Sequence, residues 1–392
     1  MLIAHKIALD LNDKQATYMA RAAGCARFAY NWALAEWSRQ YAAWEADNSQ
    51  PRLNQMALRR QLNAVKKHEY PWMLEVTKCA PQLAIMQLGQ AFQDFLAGRV
   101  RYPQFRKKGI YDRFSLSNDQ FAVEGSRLRV PHLGWVRMRE SLRFTGKLIS
   151  ATVSRVAERW YVSLAVETQD DSHLPEAENQ GAAGVDSGIK ALATLSTGES
   201  IIGPKPHKAL SRRVRRLSRS LSRKQKGSRN RNKAKAKLSR LYARIASIRQ
   251  DATHKLTTDL TRRFHTIGIE DWKVRGNVRG TTQDRRLARS IADMSFLEFR
   301  RQLDYKAAWR GGRVIVAERF PARGQTCPAC AGRLDELPLS ARQRTCPECG
   351  TTRGREVNAA IDLKNYAVSS TVSACGGEGP ALVARQGRDR PQ

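Results

Sequence analysis

The residues Cys327-Pro-Ala-Cys330 and Cys346-Pro-Glu-Cys349-Gly350, followed shortly by Arg355-Glu-Val-Asn-Ala-Ala360, decide how this chain is read. Two Cys-x-x-Cys knuckles fifteen residues apart can close a tetrahedral four-thiolate shell around Zn²⁺, each knuckle giving two sulfurs to one side of the metal. Cys327, Cys330, Cys346 and Cys349 are the expected ligands. The alternative is a pair of disulfides, or one redox pair beside an accidental second one. Four thiolates leave no open coordination position, so zinc here is structural and any chemistry must come from elsewhere. Glu356, seven residues beyond the last cysteine, is a carboxylate that the ribbon would help to position.

The chain has 392 residues, enough for two or three domains. Its 69 Lys and Arg against 36 Asp and Glu give a net charge of +33, an excess that repels itself unless a polyanion neutralises it. Nucleic acid is the expected partner, ahead of a membrane surface. No run approaches about 18 apolar residues, and the N-terminus lacks the order of a signal peptide, so a cytoplasmic protein with no membrane partner is expected. Cys25, Cys79 and Cys375 suit a reducing compartment.

Residues 2 to 11 read as one strand, after which Asp13 can cap a long helix through Met19, Phe28 and Trp32. A second helix carries Leu53 to Val65, and a third is opened by Pro81. Trp32, Trp37, Trp44 and Trp72 fall mostly at helical spacing and read as core rather than base-stacking residues. The stretch Arg99 to Lys108 interleaves basic residues with Tyr102 and Phe105 around Pro103, and with Tyr102, Arg106, Lys107 and Lys108 it suits a nucleic-acid contact. From Phe121 to Thr168 the period becomes two, which predicts antiparallel strands closing a small β-barrel with the N-terminal strand. Asp170 to Gln180 reads as a linker.

Two short apolar strands then run into acids, at Asp186 and at Glu270. An acid at such a place costs several kcal/mol to bury unless a cation satisfies it. With Glu356 they form a candidate set of metal-binding carboxylates. Between them Arg212 to Arg249 holds sixteen Lys or Arg and no acid. A helical apolar stripe, broken at Lys226-Gly-Ser-Arg-Asn230, predicts a helical hairpin with basic outer faces that track phosphates. Arg212, Arg213, Arg216, Arg223, Lys224, Lys226, Arg229 and Arg231 are its candidate contacts. A helix from about Gln283 to Trp309, a strand from Gly312 to Glu318 and a closing helix through Lys364 follow. Beyond Tyr366 a disordered tail is expected.

Gly184-Val-Asp-Ser-Gly-Ile-Lys190, Ile267-Gly-Ile-Glu-Asp271, Leu303-Asp-Tyr-Lys306, the four-cysteine ribbon and Arg355-Glu-Val-Asn-Ala-Ala360 together resemble the TnpB, or OrfB, family of insertion-sequence proteins, related to compact type V CRISPR effectors. Arg223-Lys-Gln-Lys-Gly-Ser-Arg-Asn-Arg231 and Tyr102-Pro-Gln-Phe-Arg-Lys-Lys-Gly109 add to the likeness, which covers about residues 1 to 366. The resemblance implies an α/β plus β-barrel protein. Residues 1–169 would form a wedge-type β-barrel with an inserted helical recognition lobe, and 170–180 a linker. A RuvC, RNase H-like nuclease domain would follow over 181–322, including the basic hairpin at 205–250. The zinc ribbon would take 323–351, the final RuvC segment 352–366 and the tail 367–392.

The resemblance further implies an RNA-guided endonuclease that takes its guide from the transposon end and cuts double-stranded DNA with Mg²⁺ or Mn²⁺ held by Asp186, Glu270 and Glu356. The family usually carries Asp at the third position, where this chain has Glu356. A guided DNA-binding protein that no longer cuts and a DNA-binding accessory factor of transposition are the alternatives. The oligomeric state is not legible.

Overall fold

The computed structural model describes residues 1–47, 54–169, 174, 176–188, 190–271, 296–317, 327–330, 332 and 343–373. The chain divides into two compact units, Met1–Leu174 and Pro175–Gln392.

The first unit opens with β1 (Leu2–Asp10), α1 (Asp13–Ala46), α2 (Gln55–Val65) and α3 (Cys79–Leu96). The strands β2 (Arg113–Ser117), β3 (Ala122–Glu124), β4 (Arg127–Val130), β5 (Gly134–Met138), β6 (Lys147–Val156) and β7 (Arg159–Glu167) follow. The cap of α1 is Asn12 rather than Asp13. Its Oδ1 accepts from the Gln15 N–H at 2.8 Å, while Gln15 Oε1 accepts from the Asn12 N–H at 3.2 Å, so two orphan donors are satisfied reciprocally. Helix α3 begins at Cys79, two residues before the expected Pro81, whose missing N–H costs nothing within a first turn.

Period-two alternation holds in β7, where Trp160, Val162, Leu164 and Val166 face inward. Trp160, Val162 and Leu164 share one core with Phe114 and Leu116 of β2 and with Met19, Leu34, Ile85 and Leu88 of the helices, and Val166 is buried as well.

The expected β-barrel is not formed. The seven strands lie in the order β2-β6-β7-β1-β5-β4-β3, and β2 and β3 stand at opposite edges of an open sheet. Alternation tells which face of a strand is buried, but closure depends on strand tilt and stagger, which a period of two does not encode. Here α1 and α3 pack against the edge strand β2, and β3 is only three residues long. A short edge strand and a covered one are two ordinary ways of ending a sheet without closing it.

The second unit comprises β8 (Ala182–Asp186), β9 (Ala193–Leu195), β10 (Ser200–Ile201), α4 (Pro206–Ala209), α5 (Ser211–Ser222), α6 (Arg229–Arg263) and β11 (Thr266–Glu270). It continues with α7 (Phe296–Trp309), β12 (Arg313–Ala317), β13 (Gln343–Thr345), β14 (Thr352–Gly354) and α8 (Arg355–Ser373). Its five-stranded open sheet has the order β10-β9-β8-β11-β12, with β8, β11 and β12 parallel and β9 antiparallel to β8. Ala183, Val185, Ile267 and Ile269 form one core with Leu256, Leu260 and Phe264 of the α6 end and Phe296, Phe299 and Leu303 of α7. The alternate residues of the same strands face the other way, toward α8.

Residues on the N-terminal side of β8 are tied down. The Glu178 and Gln180 N–H groups donate to the carbonyls of Arg262 and Arg263 at 2.8 and 2.7 Å, within the stretch expected to be a linker. Helix α8 runs seven residues past Tyr366, because Ala367 is buried against the sheet and keeps the helix docked. Residues 283–295 of the expected long helix, Glu318 and the tail from 374 lie outside the described residues.

Candidate functional site

Asp186 is the last residue of β8 and Glu270 the last of β11. In the parallel ladder Gly184 stands opposite Gly268 and Val185 opposite Ile269, so the two acids emerge side by side at the carboxyl end of the sheet. Glu356 lies in the first turn of α8, which packs on β8 and β11. All three acids are half-buried. Burial, and then the charges of Glu270 and Glu356, push the Asp186 carboxyl up to about 7, against which Arg355 works. A carboxylate so destabilised beside two others is the electrostatic signature of a place that wants a cation. Among the described residues, however, only the four cysteines gather ligand atoms of three or more such side chains closely enough to hold a metal ion.

The four sulfurs all lie within 4.8 Å of one another, with Cys327 and Cys349, and likewise Cys330 and Cys346, 3.6 Å apart. A tetrahedral shell with metal–sulfur bonds of about 2.3 Å puts its sulfurs about 3.8 Å apart. The spacing therefore suits a shared ion, and all four cysteines are free thiols, which sets the disulfide alternative aside. Local backbone bonds shape the knuckles: Cys327 N–H donates to the Gly332 carbonyl at 2.9 Å, and Cys346 N–H to the Thr351 carbonyl at 3.0 Å. Gly350 takes φ 67°, a left-handed turn that suits glycine. The second knuckle is the tip of the β13–β14 hairpin, and β14 leads directly into Arg355 and Glu356. Whatever fixes the cysteines thus also fixes the start of α8.

The basic hairpin is two helices, as its apolar stripe implies: Val214 of α5 packs on Leu241 and Ile245 of α6. Arg212, Arg213, Arg216, Arg223, Lys226 and Arg229 are exposed, and Lys224 is half-buried. Arg231 is engaged otherwise, donating through Nη1 to the carbonyls of Leu221 and Lys224 at 3.0 and 2.8 Å and so closing the end of α5. A cleft of about 660 Å³ is lined by Arg212, Arg215, Arg216, Arg219, Ser220, Arg223 and Lys224. Arg215 and Arg219 thus join the candidate contacts, and their i, i+4 spacing from each other and from the neighbouring arginines is the sequence signal that marks this helix face.

In the first unit Lys107 and Lys108 are exposed and Tyr102 is about half so. The Tyr102 ring meets Phe92 and Phe95 edge-on, at centroid distances of 5.5 and 5.3 Å. Arg106 is different. Its guanidinium lies 3.6 Å from the Tyr30 ring centroid and donates to Gln87 Oε1 at 3.0 Å, while its main chain pairs with the Asn31 amide. Burial pulls its pKa down to about 10, so it stays protonated at neutral pH and pins the basic segment to α1. Of the tryptophans, Trp32 and Trp37 pack on the core, whereas Trp72 is 41% exposed.

Family models match three parts of the chain. OrfB_IS605, described as "Probable transposase", matches residues 163–280, and Cas12f1-like, TNB domain, matches residues 296–363. A model described as a helix-turn-helix domain matches residues 1–45, where the structure has one strand and one long helix. A Streptomyces pristinaespiralis protein provisionally named as an RNA-guided DNA endonuclease is 36% identical over 374 residues, covering 93% of this chain and 88% of that protein. Escherichia coli K12 InsQ, named likewise, is 35% identical over 393 residues, covering 96% and 94%. The solved mini-RNA-guided endonuclease CRISPR-Cas_phi3 aligns over 94% of this chain and 92% of its own, at 8% identity and a TM-score of 0.43, too loose a likeness to carry the fold. Sequence identity above 30% along nearly the whole of two such relatives shows that this chain belongs to the TnpB (OrfB) family.

Proposed function

We propose that the protein is an RNA-guided, divalent-metal-dependent DNA endonuclease encoded by an insertion sequence, with a RuvC-type active site made by Asp186, Glu270 and Glu356. The observation that carries this reading is the placement of two acids on adjacent parallel strand ends with a third on the helix start above them, close enough to raise the Asp186 pKa. These three side chains would hold Mg²⁺ or Mn²⁺, whose chemistry is to activate water and stabilise the leaving oxygen of a phosphodiester. The four cysteines would hold Zn²⁺ and keep the start of α8 in place. Pairing of a guide RNA from the transposon end with double-stranded DNA would supply sequence specificity, leaving the protein to grip backbones through the α5 face and Lys107 and Lys108. No described helix is long and apolar enough to cross a membrane, and action on DNA within a prokaryotic cytoplasm fits this reading.

A second reading, a guided DNA-binding protein that does not cut, is favoured by one observation: the carboxylates are less tightly gathered than the cysteines, and the third is Glu rather than Asp. The protein expressed with its flanking locus tests both readings. Co-purification of a discrete RNA, and loss of duplex binding after RNase treatment, are expected. No RNA, and binding indifferent to RNase, would return the plain accessory factor. Target binding without cleavage by the native chain, with cleavage by Glu356→Asp, would establish the non-cutting binder.

A further inference from the structure

Both strands that end in a candidate acid carry a glycine two residues earlier, as Gly184-Val-Asp186 and Gly268-Ile-Glu270. The two glycines are partners in the ladder, so a patch two strands wide has no side chain on the face turned toward α8. Helix α8 fills that patch with its backbone. A Cβ on Gly184 would overlap the Ala360 carbonyl oxygen and stand 2.5 Å from the Lys364 nitrogen. A Cβ on Gly268 would overlap the Leu363 carbonyl oxygen and stand 3.1 Å from Ala367 Cβ. In each case the obstacle is backbone, which cannot swing aside as a side chain can.

The distances along the two elements match. From Ala360 back to Glu356 is about 6 Å along a helix, and from Gly184 forward to Asp186 is about 6.6 Å along a strand. With Ala360 seated on Gly184, Glu356 is carried to the level of the acids. We propose that Gly184 and Gly268 are positioning residues for the third carboxylate: paired across β8 and β11, they set the depth at which α8 lies on the sheet and hence the reach that residue 356 needs. This rests on the carboxylate reading above and adds that helix depth and side-chain length at 356 are coupled.

The test uses the full chain with its co-purified RNA, and compares Gly268→Ala and Gly184→Ala in the native background and in Glu356→Asp. The readouts are Mn²⁺ affinity by electron paramagnetic resonance and cleavage of a guide-matched duplex, with Asp186→Ala as reference. A methyl group lifts α8. Glu carries one methylene more than Asp, about 1.5 Å of reach, and can span a gap that Asp cannot. The expected result is a loss of Mn²⁺ affinity and cleavage at least tenfold larger for each glycine variant in the Asp background than in the native one.

Equal losses in both backgrounds, or no loss, would overturn the proposal while leaving the carboxylate site standing. Unfolding of both alanine variants would overturn it too, since the glycines would then hold up the fold at large. Mn²⁺ binding indifferent to Asp186→Ala would instead remove the site itself, and the proposal with it.

Discussion

The Lys306 ammonium donates to the Thr257 hydroxyl at 2.7 Å, fastening α7 to the C-terminal part of α6. It also donates to the Thr258 hydroxyl and the His254 carbonyl, both at 2.8 Å, so its three donors are all used. Gln302 Oε1 accepts from the same Thr257 hydroxyl at 2.9 Å. Of this group Thr257, Gln302 and Lys306 are buried, beside the apolar core under the strands that carry Asp186 and Glu270.

Lys306→Met, which keeps the stem and removes the donors, is expected to destabilise the second unit by about 1–3 kcal/mol in urea unfolding, the cost of leaving buried acceptors unpaired. Burial pulls the Lys306 pKa from 10.5 down to about 8. Between those values the unfolded chain binds more protons than the folded one, so this group makes stability rise as pH climbs through the window. Subtracting the Lys306→Met profile from the native one should isolate that rise; a flat difference would contradict it.

Asp186 has the opposite sign. Its folded pKa of about 7 lies above the ordinary value of 3.8, so the folded chain binds the extra proton and stability falls as pH rises from about 4 to 7 without divalent ions. Thermal melts should show that fall in the native chain, a shallower one on adding Mg²⁺ or Mn²⁺, and none of this component in Asp186→Asn. A native slope unaffected by Asp186→Asn would show that the carboxylate is not under strain.

The double variant Cys346→Ser, Cys349→Ser should lose one equivalent of zinc per chain by elemental analysis. It should also lower the melting temperature of the second unit, because ion binding supplies folding energy to so small a ribbon. Full zinc retention would sink the four-cysteine assignment.

Replacing Arg212, Arg216, Arg219 and Arg223 by Gln removes four cations from the α5 cleft while leaving Val214 and Leu217 packed. Affinity for RNA and DNA should drop about equally across sequences. The slope of log affinity against log salt should flatten by roughly 0.7 to 0.9 for each phosphate no longer neutralised. An unchanged slope would show that the face is only solvated.

The sequence makes the cysteine ribbon, the basic hairpin and the acids at the ends of β8 and β11 legible, because each is a local pattern of spacing or composition. What it hides is non-local. Alternation in Leu128, Val130, Val136 and Met138 shows which side is buried, yet it does not say whether β2 and β3 close a barrel, and they do not. Arg106 reads as one cation in a basic run until Tyr30 and Gln87 are found against it. Ala367 looks like the start of a tail because its partner, Gly268, is 99 residues away. The glycines at 184 and 268 did leave a signal, an isolated Gly within an apolar strand, which marks close backbone approach.

Single-turnover cleavage of a guide-matched duplex by the RNA-bound native chain, beside Asp186→Ala, bears most directly on the proposal that Asp186, Glu270 and Glu356 form one metal-binding centre. Cleavage in Mg²⁺ or Mn²⁺ by the native chain, lowered at least about a thousandfold in Asp186→Ala with target binding retained, is the predicted result. Native cleavage that survives in Asp186→Ala, or a native chain that binds its target and cuts in neither metal, would contradict it.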